Sequence, residues 1–198
     1  MVGLDLVPGR AEHPSGYRHV RGNLLQGLPF REESFDLVHQ RYLVSGIPLA
    51  EWPRVVAELV RVTRPGGWVE LGEPTIRLHR IGTVTDRLQR MFLELAGSLG
   101  LDTGDAVYGA LDRYLREAGL EEVTRRELEL PVGEWGGRVG SFLASDIRAV
   151  STRICEVLQA KGVLPGEEAA DLIRRSTREF EEERTVWPVA VAYGRRPG

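Results

Sequence analysis

Cysteine is nearly absent from this chain, which excludes chemistry that depends on pairs or clusters of thiols. Cys155 is the single cysteine among 198 residues, so neither an internal disulfide nor a thiolate metal cluster is expected. We interpret it as a small buried apolar residue of a helix. The four histidines show no His-x-x-x-His or Glu-x-x-His spacing, and the sequence therefore predicts no metal site.

Long apolar runs and blocks of basic residues are missing as well. No segment approaches the roughly 20 apolar residues of a membrane-spanning helix, and residues Met1 to Asp5 do not resemble a signal peptide. The formal net charge is −3 and Lys161 is the only lysine, which argues against a nucleic-acid footprint. We expect a cytoplasmic protein of one domain that binds neither membrane nor nucleic acid.

Residues 57–74 change from helical to strand periodicity and organise the rest of the chain. Apolar residues at helical spacing predict a helix from Ala50 to Val62. Arg64-Pro65-Gly66-Gly67 then predicts a tight turn, because proline cannot continue a helix and glycine accepts a positive φ. Trp68 to Leu71 is a short apolar run, typical of a strand buried in a parallel sheet. The pattern is one half of a βαβ unit.

Similar short apolar runs bounded by turn residues predict the other strands. They are Val2–Leu6, closed by a turn at Pro8-Gly9, then Tyr17–Val20, Phe35–His39, Val123–Leu130 and Val186–Tyr193. Helices are expected between Thr83 and Gly119, from Ser141 to Ala160 and from Glu167 to Glu183. Alternation of strands and helices in the first half predicts an α/β fold with a mostly parallel sheet.

Polar or acidic residues follow each of the first four strands, at the edge where parallel sheets bind ligands. These strand ends are Asp5-Leu6, Gly22-Asn23-Leu24, His39-Gln40-Arg41 and Gly72-Glu73. We therefore predict that a ligand binds at this edge. His39 is the first candidate for a general base and Glu73 the second, because both follow sheet strands and an imidazole titrates near neutrality.

Four segments, in this order and spacing, resemble the class I S-adenosylmethionine-dependent methyltransferases. They are Val2-Gly3-Leu4-Asp5-Leu6, Gly22-Asn23 with Leu28-Pro29-Phe30, Glu33-Ser34-Phe35-Asp36-Leu37-Val38, and Glu58-Leu59-x-Arg61-Val62-x-Arg64-Pro65-Gly66-Gly67. The resemblance is to the small-molecule branch that includes quinone-biosynthesis methyltransferases. It implies a Rossmann-like sheet with an antiparallel last strand, S-adenosylmethionine as the cofactor and a small-molecule acceptor.

The resemblance also implies a division of the single domain and roles for its residues. Residues 1–74 would bind the cofactor, 75–120 and 137–183 would be helical insertions that cap the substrate, and 123–130 and 185–193 would be the final strands. Met91, Phe92, Tyr108, Trp135 and Phe142 are candidates for an apolar pocket under the cap.

Six residues correspond to cofactor-binding positions of the family. Asp5 would bind the ribose hydroxyls, since a carboxylate can accept from both, and Leu6 lies beside it. Asn23 stands where the family usually has an Asp that recognises the adenine amino group, and Leu24 would pack on the ring. Gln40 and Arg41 would border the methionine end of the cofactor and the substrate.

The chain departs from the family at its beginning. The family's first strand and its Gly-x-Gly-x-Gly loop would precede Val2, so the chain resembles an N-terminally truncated domain. That strand lies between those starting at Val2 and Phe35, and without it backbone groups are left unpaired. We expect the exposed edges to pair with another chain, giving a homodimer or a higher oligomer.

Three functions remain open from the sequence. The first is methyl transfer to a small molecule at oxygen, nitrogen or carbon. The second is a non-catalytic oligomeric binding or assembly module that retains the fold, which the missing glycine loop favours. A nicotinamide-dependent oxidoreductase is a distant third, because it too would need such a loop.

Overall fold

The computed structural model describes residues 1–7 and 14–198, so the predicted turn at Pro8-Gly9 lies outside the described residues. The strands are β1 (Val2–Asp5), β2 (Arg18–Arg21), β3 (Phe35–Arg41), β4 (Thr63–Pro74), β5 (Glu121–Pro131) and β6 (Val186–Arg195). The α-helices are α1 (Trp52–Val62), α2 (Thr83–Ser98), α3 (Leu111–Glu117), α4 (Gly137–Ala160) and α5 (Gly166–Glu182). The predicted order of elements is confirmed.

The strands form two separate sheets. Strands β1 and β2 pair in parallel, while the larger sheet has the order β3-β4-β6-β5. Strand β3 is parallel to β4, and β6 runs antiparallel to both β4 and β5. The predicted α/β fold, mostly parallel with an antiparallel last strand, is confirmed. Within residues 1–7 and 14–198, no strand pairs β1 with β3.

Helix α1 ends at Val62 as predicted, and Gly66 takes the expected positive φ, 75°. The prediction of a separate tight turn at Arg64 to Gly67 is wrong. These four residues belong to β4, which begins at Thr63. The pairing with β3 jumps from Phe35 opposite Thr63 to Leu37 opposite Trp68, so the segment is an irregularity inside a long strand. The reason is non-local, because Gly66 N–H donates to Arg196 O and Arg196 N–H donates to Gly67 O on the neighbouring chain segment.

Two apolar cores hold the structure together. In the first, α1 and α3 pack on one face of the larger sheet, with Val56, Leu115 and Ala190 wholly buried. The second lies between α2, α4 and α5, where Cys155 is 2% exposed and packs with Leu88 and Leu172. Cys155 is therefore the buried apolar residue that the sequence predicts.

The segment after β2 joins the small sheet to α1. Leu28 N–H donates to Glu58 Oε2, with 3.0 Å between the nitrogen and the oxygen. The Arg61 guanidinium donates to Leu28 O and Phe30 O and also to the Glu58 carboxylate. These contacts hold the pKa of Glu58 at about 2, the largest cause being the hydrogen bond from Arg61. The ion pair therefore fixes the chain as it leaves the small sheet.

Candidate active site

A cavity of about 680 Å³ lies beyond the carboxyl ends of β3 and β4. Residues that directly follow these strands, including Tyr42, Val44, Thr75 and Ile76, form its floor. Helices α2, α4 and α5 cover it. Helix α4 presents a stripe at helical spacing, which is made of Leu143, Asp146, Ile147, Val150, Ser151 and Ile154. The volume and the apolar lining suit a small organic molecule.

Two oppositely charged side chains line this cavity among the described residues. Arg41 ends β3, and Asp146 lies on α4. The pKa of the Tyr42 hydroxyl is raised, chiefly by burial. The charge of Arg41 opposes this rise, and the charges of Glu73 and Asp146 add to it. The Tyr42 ring lies 5.7 Å from that of Trp187, measured between centroids. The cavity therefore combines a pair of aromatic rings with one positively and one negatively charged side chain.

Glu73, near the end of β4, is fully buried and does not line the cavity. Its carboxylate accepts hydrogen bonds from Gln40 Nε2 at 2.5 Å, from Leu43 N at 3.0 Å and from Val44 N at 2.9 Å. Burial outweighs these three donors and raises the pKa of Glu73 to about 7. The predicted base role of Glu73 stays a prediction, while its contacts are those of a group that holds the chain after β3.

The three residues predicted at the end of β3 have different surroundings. His39 Nδ1 lies 2.8 Å from Glu70 Oε1 on the neighbouring strand, and the His39 side chain is half exposed. Gln40 points to the opposite face, where it is 6% exposed and contacts Glu73. Arg41 lines the cavity. Successive side chains of a strand alternate between faces, so this edge divides the three between separate environments.

The residues predicted to bind the adenosine portion lie with the small sheet. Asp5 is exposed at the end of β1, and its Oδ1 accepts from Val7 N at 3.1 Å. Leu6, next to it, is 58% exposed. Asn23 caps the short helix Leu24–Gln26 by accepting from Leu25 N at 3.0 Å. Leu24 packs against the main core. Asp5 and Asn23 lie at the same edge because Asp5 pairs with Arg21 in the sheet.

Asn23 also lines an open groove between the segment after β2 and helix α1. The groove has a volume of about 660 Å³, and Arg54 and Glu58 line its other side. Asp5 is exposed and Asn23 is partly buried, and carboxylate and amide oxygens can accept from hydroxyl and amino groups. That these two residues bind a nucleoside stays a prediction.

Of the five residues predicted to line an apolar pocket, Phe92 does so. Met91 packs in the core between the helices and Tyr108 against the main core. Trp135 donates from Nε1 to Val132 O, and Phe142 is 60% exposed on α4 with the Arg138 guanidinium over its ring. These four residues do not line the cavity. The prediction failed for them because sequence spacing does not show which neighbour a side chain will face.

The sequence reasoning missed Tyr42, Thr75, Asp146 and Trp187. Tyr42 and Thr75 come one residue after β3 and β4, so an extension of the strand-end rule by one or two residues would have found them. Asp146 and Trp187 carry no local signal, since α4 and β6 reach the cavity only through tertiary packing. Within the described residues, no group of three or more His, Cys, Asp or Glu could hold a metal ion. Across the same residues, no helix has the length and apolarity needed to cross a membrane.

Comparisons with known proteins point to one class. A family described as "Methyltransferase domain" matches residues 2–71. The N-methyltransferase sirN of Leptosphaeria maculans is 29% identical over 215 residues, covering 100% of this chain and 72% of that protein. The N-methyltransferase tcpN of Claviceps purpurea is 27% identical and covers 99% and 74%. The methyltransferase pytC of Aspergillus terreus is 27% identical over 68% of this chain, which spans 42% of its length.

Among solved structures, a phosphoethanolamine N-methyltransferase of Haemonchus contortus, bound to phosphomonomethylethanolamine and S-adenosylhomocysteine, shares the fold. Its TM-score is 0.50 at 12% identity, and the match covers 92% of this chain and 38% of that one. The domain match and these relatives support a class I S-adenosylmethionine-dependent methyltransferase. They also support methyl transfer from S-adenosylmethionine to a small molecule. Two of the relatives that align with nearly the whole chain are N-methyltransferases.

Proposed function

We propose that this chain methylates a nitrogen of an apolar small-molecule amine. The observation that carries the proposal is the cavity beyond β3 and β4, which is lined mostly by apolar side chains and has the Asp146 carboxylate on its wall. A carboxylate accepts an N–H of a neutral amine and leaves the nitrogen lone pair free. The names of the relatives sirN and tcpN support the choice of nitrogen.

Asp146 would act as the positive charge develops. When bound, S-adenosylmethionine supplies an activated methyl group, and the electron pair of the broken bond stays on sulfur. The acceptor nitrogen gains a positive charge during the transfer, and a nearby carboxylate stabilises that charge. The aromatic corner of Tyr42 and Trp187, 5.7 Å apart, adds the attraction between a cation and ring faces. Afterwards the nitrogen loses a proton to water.

Two sets of residues would hold the cofactor. Asp5, with Leu6 beside it, would accept from the ribose hydroxyls. Asn23, which is partly buried and accepts from Leu25 N through Oδ1, would bind the adenine through its amide group, while Leu24 supports that turn. The second set is Arg41, which lines the cavity, and Gln40 behind it. The helical segments 75–120 and 137–183 would cap the acceptor, in keeping with the positions of α2 and α4 over the cavity.

His39 would serve as a general base only for an acceptor that must lose a proton before transfer, such as a hydroxyl group. It does not line the cavity, and its Nδ1 contacts Glu70. A neutral amine already has a free lone pair and needs no such base. Replacing His39 by alanine should therefore leave amine methylation within about twofold, whereas a base role predicts a loss of about a hundredfold or more in turnover with cofactor affinity kept.

The test measures transfer of an isotopically labelled methyl group from S-adenosylmethionine to matched apolar amines and alcohols, with mass spectrometry as the readout. Asp146→Asn should lower kcat/KM for the amine about tenfold, since a charge-assisted hydrogen bond becomes a neutral one. Glu156→Gln, an exposed acid on the same helix, is the control. Equal activity of the two variants, or transfer to the alcohols alone, contradicts the nitrogen assignment.

Calorimetry with S-adenosylhomocysteine tests the cofactor half separately. Micromolar binding supports a working site in this chain, and Asp5→Ala should weaken it because the ribose loses its acceptor. An absence of binding at millimolar concentration would instead favour the non-catalytic binding module, which the comparisons do not favour.

We also propose that the chain associates with a second copy. Strand β3 pairs with β4 alone among the described strands, and Leu37 on it is 60% exposed. Unpaired strand edges with apolar side chains are templates for strand addition. Light scattering at micromolar concentration should give a dimer or a higher oligomer, and a monomer would contradict the proposal.

A further inference from the structure

The chain leaves β3 through a turn with an unusual backbone. Tyr42 has a φ of 56°, a left-handed backbone conformation that residues other than glycine rarely adopt. Tyr42 N–H donates to Gly72 O at 3.0 Å. The next two backbone N–H groups, of Leu43 and Val44, donate to the two oxygens of Glu73. One buried carboxylate thus receives both donors that follow the strained residue.

The same turn places an aromatic ring in the cavity. The Tyr42 ring packs against Trp187 at 5.7 Å with an interplanar angle of 56°, and both residues line the cavity. Because residues 42–44 are held by Glu73 and by Gly72, the direction of the Tyr42 side chain depends on these hydrogen bonds. Glu73 itself is 0% exposed. It can therefore influence the cavity through the turn, without contact with a ligand.

From this geometry we infer that Glu73 is a positioning residue of the acceptor site. By holding the N–H groups of Leu43 and Val44, it fixes Tyr42 in the left-handed conformation and sets its ring against Trp187. The inference rests on the proposed function in one respect, namely that the cavity binds the acceptor. The link from Glu73 to Trp187 stands on the contacts alone, and it is tested separately.

Gln40 completes the arrangement on the other side of Glu73. Its Nε2 donates to Glu73 Oε1, while its own Oε1 is buried and has no hydrogen-bond partner. Gln40 is thereby oriented by the carboxylate, and it buttresses the carboxylate from β3. Glu73 thus joins the ends of β3 and β4 to the turn between β3 and α1, and a change at Glu73 should be felt first at Tyr42.

The first experiment reads the ring pair without any enzyme activity. The full chain is labelled with 5-fluorotryptophan, and the Trp187 fluorine resonance is assigned with Trp187→Phe. Glu73→Gln places an amide NH₂ where a backbone N–H must donate, so the Trp187 resonance should shift while those of Trp68 and Trp135 stay. Glu94→Gln, the same change at an exposed position of α2, should shift none of them.

A double-mutant cycle shows whether the effect passes through Tyr42. Tyr42→Gly removes the ring and accepts the positive φ without strain. In that background, Glu73→Gln should no longer move the Trp187 resonance. A shift of the same size with and without Tyr42 overturns the inference, as does an unshifted Trp187 in folded Glu73→Gln protein. If Glu73→Gln does not fold, Glu73→Asp withdraws the carboxylate by one methylene and serves in its place.

The kinetic readout links the turn to the acceptor. With an amine substrate, Glu73→Gln should raise KM about tenfold and leave kcat within about threefold, because uniform binding is lost. A large loss of kcat at unchanged KM would support the base role instead. If no amine is methylated, the proposed function fails, while the fluorine experiment still decides the role of Glu73.

Discussion

The stability of this protein should fall as the pH rises through neutrality, because of Glu73. Burial raises its pKa from the ordinary 4.5 to about 7 in the folded state. Between these two values the folded protein keeps a proton that the unfolded chain has released, so the free energy of unfolding decreases with rising pH. Above about pH 7 the carboxylate is charged in both states, and the folded protein carries the full cost of burying it.

The size of the effect follows from the two pKa values. Each pKa unit is worth about 1.4 kcal/mol, and the difference between 4.5 and about 7 therefore gives about 3 kcal/mol. Urea unfolding at pH 4.5 and at about pH 8 measures the free energy of unfolding in wild type and in Glu73→Gln. Wild type should lose about 3 kcal/mol more than the variant over this interval.

Glu94→Gln is the matched control, since it removes an exposed carboxyl group and should follow wild type. Other acids also titrate over this interval, so the comparison between wild type and variant carries the result, not either curve alone. Identical pH dependence in wild type and Glu73→Gln would refute the reasoning. It would mean that the three donors on the carboxylate offset its burial completely.

Three further results are expected. Arg61 and a backbone N–H hold the pKa of Glu58 at about 2, so Glu58 stabilises the folded protein fully above pH 4.5 and loses this effect as the pH falls toward 2. The free energy of unfolding of Glu58→Gln, measured by circular dichroism, should therefore depend less on pH in this acid range than that of wild type. Gly67→Ala should cost about 1–3 kcal/mol in urea unfolding, since a Cβ there would lie 2.8 Å from Asp36 O; no loss would show that the strand irregularity can shift. Leu37→Arg should move the assembly toward monomer in light scattering and leave the melting temperature within a few degrees, and an unchanged oligomer would place the interface elsewhere.

The fold was predictable from the sequence where a pattern is local. Helix α1 and strand β4 were found because apolar spacing changes from helical to continuous within a few residues, and α2, α4 and α5 have helical periodicity of their own. The resemblance to a methyltransferase gave the antiparallel β6. The turn expected at Arg64 to Gly67 was wrong, since the backbone there is bound by Arg196, which lies at the far end of the chain.

The site was less predictable than the fold. The rule that ligands bind at the carboxyl ends of strands led to Arg41, which lines the cavity. It also led to Glu73, which accepts hydrogen bonds from the backbone of the turn after β3. It stopped one residue short of Tyr42, and the left-handed conformation of Tyr42 leaves no signal in the sequence. Asp146 was also missed, because helix α4 reaches the cavity through packing against α5 and other elements.

The division of the strands into two sheets has a consequence for how a nucleoside ligand would act on the chain. Asp5 and Asn23 belong to the small sheet, whereas Arg41 ends a strand of the large one. A ligand that contacts both sheets would restrict the motion of one sheet relative to the other. Part of its binding free energy would go into that ordering. Amide hydrogen exchange in β1 and β2 should then slow on binding, far more than in β4 and β6, which pair over seven residues within the larger sheet.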